Sequence, residues 1–228
     1  MKRYYQIADL LFEINTDLKY DESYNFKEFL MSNTNNELKK ISCNIYCVDK
    51  LEQSRLDNIS NLPMINSHED KLYYRYEFLK SPHGEIYAYT IFYKNKLNNI
   101  DIYIKKDYKD IKDTIDIFKL LMLDKLFSLN NIILLHSSYI KYKNNAILFS
   151  APSGTGKSTQ ANLWNKYENA EIINGDKTAI QKVNGIWYAY GLPYAGSSDI
   201  FKNISTPISA IVVLRKGSKN KVEKLTLK

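Results

Sequence analysis

The chain carries Ala151-Pro152-Ser153-Gly154-Thr155-Gly156-Lys157-Ser158-Thr159 directly after a short apolar run. Residues 151–158 satisfy the phosphate-loop pattern G-x-x-x-x-G-K-[ST] at every position but the first, where Ala151 stands in for glycine. Gly154 and Gly156 let the backbone turn its N–H groups toward phosphate oxygens without a side-chain clash, and the positive end of a following helix adds to that attraction. Lys157 has the length to reach β- and γ-phosphate oxygens, and Ser158 offers a hydroxyl to Mg²⁺. Ser153, Thr155 and Thr159 complete the set expected to touch a nucleotide. Such a loop works with a carboxylate placed near the metal at the end of a strand. Asp176, after Glu171-Ile172-Ile173-Asn174-Gly175, is the candidate, with simple turn chemistry as the alternative for an Asp between Gly and Lys.

These residues need a scaffold. Residues 132–139 and 146–149 are apolar runs of strand length, the second feeding the loop. A helix is expected from the loop to about Tyr167, then a short strand over 171–173 leading to Asp176. Asn184-Gly185, between runs 179–183 and 186–190, is the strongest hairpin signal in the chain. That hairpin makes the strand after Asp176 antiparallel to its successor, whereas most phosphate-loop enzymes continue through parallel βαβ units. Residues 210–214 and 221–227 read as further strands. Asp199 is expected to cap a helix starting near Ile200, with a role as a second carboxylate as the alternative. Arg215-Lys216 read as solvated bases at a strand end, with phosphate or nucleobase contact as the alternative.

Upstream, residues 1–110 form a β-rich, mostly antiparallel region, with extended runs over 5–14, 40–48, 71–79, 85–93 and 99–105. Ser81-Pro82-His83-Gly84 marks a turn between two of them. Ile111, Ile115, Phe118, Leu121, Met122, Leu126 and Phe127 then recur at spacings of three and four. They predict one amphipathic helix over 111–131, ending near Asn130-Asn131 and bridging to the phosphate-loop domain at 132–228. The expected class is α/β in the α+β sense.

Composition sets outer bounds. With 228 residues, 44% hydrophobic and 25% charged, the chain is no disordered tail, collagen, disulfide miniprotein or coiled coil. Its richest apolar stretch, 118–135, is interrupted by Lys119, Asp124 and Lys125, so no membrane span is expected. Met1-Lys2-Arg3-Tyr4-Tyr5-Gln6 does not read as a signal peptide, and a cytoplasmic protein is expected. Cys43 and Cys47 lie four apart on a predicted strand, about 13 Å from one another, too far for a disulfide or one shared metal. The net charge of +7 is spread rather than gathered into a basic block, so nucleic acid is not an expected partner.

The combination of antiparallel strands and a phosphate loop resembles the kinase domain of HPr kinase/phosphorylase and its relative phosphoenolpyruvate carboxykinase, over about residues 132–214. The carriers are His136, Ser153 to Ser158, and Asn174-Gly175-Asp176 where that family has an Asp-Asp pair. Leu135-His136-Ser137-Ser138 and Gly191-Leu192-Pro193-Tyr194-Ala195-Gly196 look like the HPr kinase-like proteins that accompany peptide-maturation systems. The resemblance implies a mixed sheet, ATP or GTP with Mg²⁺, and transfer of the γ-phosphoryl group to a hydroxyl of a peptide, protein or small molecule. It implies His136, Lys157 and Asp176 as catalytic residues, with Ser158 and Asp176 on the metal. A neutral His136 could accept a hydroxyl proton and a charged one could steady γ-phosphate, against a purely structural role as the alternative. Because Gly175 stands where the first aspartate would be, Asp176 has to serve metal, base or both. The arginine-rich segment tied to phosphorolysis has no counterpart in 194–207, so phosphorylase activity is not expected. A nucleotide-binding module without transfer is the alternative from another class. The N-terminal β region is expected to select the acceptor, homo-oligomerisation stays open, and related domains continue beyond the strand expected at 221–227.

Overall fold

A computed structural model describes residues 1–32, 37–60, 62–194, 196–219 and 221–225. The class is α+β, built on two mixed sheets. Strands β1 (Lys2–Ile7), β2 (Leu10–Thr16), β3 (Leu30–Met31), β4 (Lys39–Val48), β5 (Ile65–Glu69), β6 (Tyr73–Leu79), β7 (Ile86–Tyr93) and β8 (Asn99–Lys105) form the first, in the order β3-β1-β2-β4-β8-β7-β6-β5. The β2–β4 and β4–β8 ladders are parallel and the others antiparallel, so a mainly antiparallel sheet holds a parallel centre. Strand β5 escapes sequence reading because its residues Asn66, Ser67 and His68 are polar. His68 is nonetheless buried, with Nε2 3.2 Å from Glu77 Oε2 of β6.

The single bridging helix expected over 111–131 is two helices, α1 (Thr114–Leu120) and α2 (Leu123–Leu129). Asp113 caps the first through the Asp116 amide at 3.2 Å. At the break the Thr90 hydroxyl donates to the Leu120 carbonyl at 2.7 Å, giving it a partner from β7. Met122 then takes φ 45° and the ladder restarts on its own carbonyl. The kink turns both apolar sets, Ile117, Phe118 and Leu121 before it and Leu126 and Phe127 after it, into the core.

The second sheet contains β9 (Ile132–Tyr142), β10 (Asn145–Ser150), β11 (Glu171–Asn174), β12 (Lys177–Val183), β13 (Ile186–Tyr190) and β14 (Ser205–Val213), with α3 (Lys157–Glu168) between β10 and β11. The order is β10-β14-β13-β12-β9-β11, and β9 also pairs with β10, closing a ring of five strands. The predicted hairpin forms at Asn184-Gly185, both at positive φ, as the primed turn that suits strand twist. Lys143-Asn144 do the same between β9 and β10. Two expectations fail. No helix begins at Ile200: Asp199 sits at φ 51° after a single 3-10 turn, Gly196–Ser198. Residues 221–225 form no strand, and the rest of that expected strand lies outside the described residues.

One apolar cluster joins the two sheets. Phe118 meets Phe26, Tyr5 and Phe12 at ring distances of 4.6, 5.2 and 5.4 Å, and Ile132, Ala179 and Leu192 of the second half pack into the same cluster. Phe26 lies on a 3-10 turn (Tyr24–Phe29) and also contacts Tyr194 edge-on at 5.8 Å. Cys43 is buried and Cys47 half-buried on β4, both free, and burial pushes the Cys43 thiol above its ordinary range. Among the described residues no helix is long and apolar enough to cross a membrane. Replacing the fully buried Phe26 by Ala removes contacts on both sides of the seam. Denaturant unfolding of Phe26→Ala is expected to show a loss of about 3–5 kcal/mol.

Candidate functional site

Strand β10 ends at Ser150, and the loop 151–156 turns into α3 at Lys157. Gly154 and Gly156 stand at φ 72° and 108°, and a Cβ on Gly156 would meet nothing nearer than Thr159 Cβ at 3.9 Å. Glycine is therefore required there by backbone conformation rather than by crowding, and the space beside the loop is left to a ligand. Ala151 has no such demand. Its function is its carbonyl, which accepts the Lys157 ammonium at 3.0 Å, and a carbonyl is the same in alanine and glycine. The departure at the first motif position is structurally silent.

Helix α3 lays Ala161 and Trp164 on Ile140 and Phe149 of the sheet, which fixes the direction of its N-terminus. It stops where Asn169 adopts φ 56° and Asn165 donates to the Ala170 carbonyl at 2.8 Å. On the far side of the loop, His136 lies on β9 in register with Lys177 of β12. Its Nε2 is 3.3 Å from Asp176 Oδ1, and both side chains remain partly open to solvent.

An open cleft of about 310 Å³ gathers His136, Ser153, Gly154, Gly156, Lys157, Ser158, Thr159, Gly175 and Asp176. Of the residues expected to act in catalysis or on nucleotide and metal, all line it except Thr155. Asp199 and Arg215 are exposed and do not line it, nor does Lys216. Among the described residues no group of three or more His, Cys, Asp or Glu is placed to hold a metal by itself. What the cleft offers a cation is hard oxygen, the Ser158 hydroxyl and the Asp176 carboxylate, beside the glycine-bearing loop at 151–156. That set suits Mg²⁺ shared with phosphate oxygens rather than a thiolate or imidazole metal.

The residues that hold this wall together stand, Ser150 apart, in segments the resemblance named, but sequence reading gave them no positioning role. Asn174 is fully buried and its Oδ1 accepts the Asp176 and Lys177 amides at 2.9 and 3.0 Å. Ser138 donates to the Gly175 carbonyl at 3.0 Å, Ser150 to the His136 carbonyl at 3.1 Å, and the Ser137 amide to the Asp176 carbonyl at 3.0 Å. Gly196 presses against Asp176 so closely that a Cβ would stand 2.8 Å from its Cβ and Cγ. Their signal in the sequence was their place in Asn174-Gly175-Asp176 and in Leu135-His136-Ser137-Ser138, where small hydroxyl residues interrupt an otherwise apolar strand. Gly156→Ala is expected to cost about 1–2 kcal/mol in denaturant unfolding, because alanine rarely adopts φ 108° even with open space around it. No protein-family model matches the chain and no curated protein matches it, so the functional reading stands on this cleft.

Proposed function

We propose that the protein is a cytoplasmic, HPr kinase-like phosphotransferase that uses ATP or GTP with Mg²⁺ to phosphorylate a hydroxyl of a peptide, protein or small molecule. The observation that carries this is the meeting of a phosphate loop with the His136–Asp176 pair at 3.3 Å across one cleft. Loop amides and Lys157 take the phosphates. The Ser158 hydroxyl and Asp176 carboxylate are the oxygens that would hold Mg²⁺, which when bound neutralises charge shared by the β- and γ-phosphates. If Asp176 accepts the His136 Nε2–H, Nδ1 is left as the proton-accepting atom for an acceptor hydroxyl, which makes His136 the group on the acceptor side. Positioning and electrostatics then carry most of the rate, as phosphoryl transfer generally requires.

The acceptor is proposed to dock on the N-terminal sheet. Tyr46, Tyr103 and Tyr89 stack at 5.1 and 4.7 Å across its face away from the aromatic core, and Tyr46 is 44% exposed. Gly175 favours a second reading, a nucleotide-binding module, since it puts no carboxylate at the neighbouring position on the cleft wall. Incubation with γ-labelled ATP, Mg²⁺ and a library of Ser- and Thr-containing peptides separates the two. Labelled product is expected with wild type, falling about 100-fold or more in Lys157→Ala and in His136→Asn. Nucleotide binding by calorimetry with no labelled product would leave the module; undiminished transfer by Lys157→Ala would refute the site.

A further inference from the structure

Asn174 is a polar side chain with no solvent exposure, at the end of a strand whose preceding residue, Ile173, is core. All four of its hydrogen-bonding positions are used. Its Oδ1 takes the amides of Asp176 and Lys177, and its Nδ2 donates to the Leu192 and Tyr194 carbonyls at 2.9 and 3.0 Å. Those two carbonyls belong to a segment fastened elsewhere. Leu192 lies in the core cluster of the N-terminal sheet, the Pro193 carbonyl accepts Asn25, and Tyr194 packs on Phe26. Two residues on, Gly196 touches the Asp176 side chain. Asp176 is thus held at its backbone by Asn174, and its side chain has Gly196 close beside it, two residues beyond the segment the same Asn174 secures.

We propose that Asn174 is the positioning residue of the cleft, fixing the Asp176 carboxylate for its cation and tying that position to the N-terminal sheet through residues 192–194. The proposal rests on the kinase reading for its cation. An aliphatic side chain here would leave the Asp176 and Lys177 amides and the Leu192 and Tyr194 carbonyls without this partner, and each buried group left unpaired is penalised. Lys157 and the loop amides share none of these bonds. Phosphate affinity and cation affinity should therefore separate when Asn174 is changed.

The test compares calorimetric titrations of the full chain with ATP in EDTA and with ATP in excess Mg²⁺. For Asn174→Ala, metal-free affinity within twofold of wild type is expected, together with at least a tenfold loss of the strengthening that Mg²⁺ confers. Amide hydrogen exchange should accelerate at least tenfold at Asp176 and Lys177 while Ala179 and Ile180 of β12 keep wild-type protection. An unchanged Mg²⁺ effect, an equal loss with and without Mg²⁺, or loss of protection throughout β12 would overturn the proposal. Should the alanine variant not fold, Asn174→Ser keeps an oxygen for the Asp176 amide but cannot span to residues 192 and 194. At least a threefold loss of the Mg²⁺ effect is expected there, and none would count against the assignment. A wild type that binds no nucleotide strikes the kinase reading instead, and the exchange comparison then decides the positioning role alone.

Discussion

Strand β9 is the constraint from which the rest of the site follows. Its residues 132–136 pair with β12, residues 137–142 pair with β10, and residues 139–141 pair with β11. The ladders hand over at His136-Ser137. There the end of β10 releases the phosphate loop, and the joint between β11 and β12 presents Asp176. A strand that must satisfy its backbone groups on both edges has no freedom to move one partner without the other. The distance between phosphate loop and carboxylate is therefore set by backbone hydrogen bonding along a single strand, and the side chain at the crossing point is His136.

Much of this was legible in the residues because it is local. The phosphate loop, the helix after it, the Asn184-Gly185 turn and the short strand before Asp176 each depend on conformational preferences within a few positions. What escaped depends on partners distant in sequence. The apolar spacing from Ile111 to Phe127 describes one helix, and it breaks where Thr90, 30 positions before Leu120, bonds the Leu120 carbonyl and Met122 turns to positive φ. Strand β5 is polar on paper and becomes a strand because β6 pairs along it, with Arg75 in register with His68, and offers Glu77 to the buried His68 ring. Asp199, well chosen as a helix cap by type, instead follows a 3-10 turn whose Gly196 is drawn against Asp176.

The site shows the same division. The residues that would touch phosphate announce themselves through glycine and lysine spacing, whereas those that aim the carboxylate are an asparagine and serines with no spacing rule. Their selection acts through buried hydrogen bonds, where a missing partner costs more than a present one contributes. The parallel centre of the first sheet was hidden for a related reason: β2, β4 and β8 look alike as strands, and only long crossovers decide their direction.

The contact between Lys157 and the Ala151 carbonyl has a consequence for the dynamics of the loop. An ammonium has three donors, and one is already committed to a carbonyl six residues earlier while the side chain is only 7% exposed. The rotamer freedom of a lysine, worth up to about 2 kcal/mol, is thus given up when the chain folds rather than when an anion arrives. Two N–H bonds remain on a head group already aimed along the loop. An anion arriving at this loop would meet a stiff arm, and its binding would draw on electrostatic fit more than on the ordering of a flexible chain.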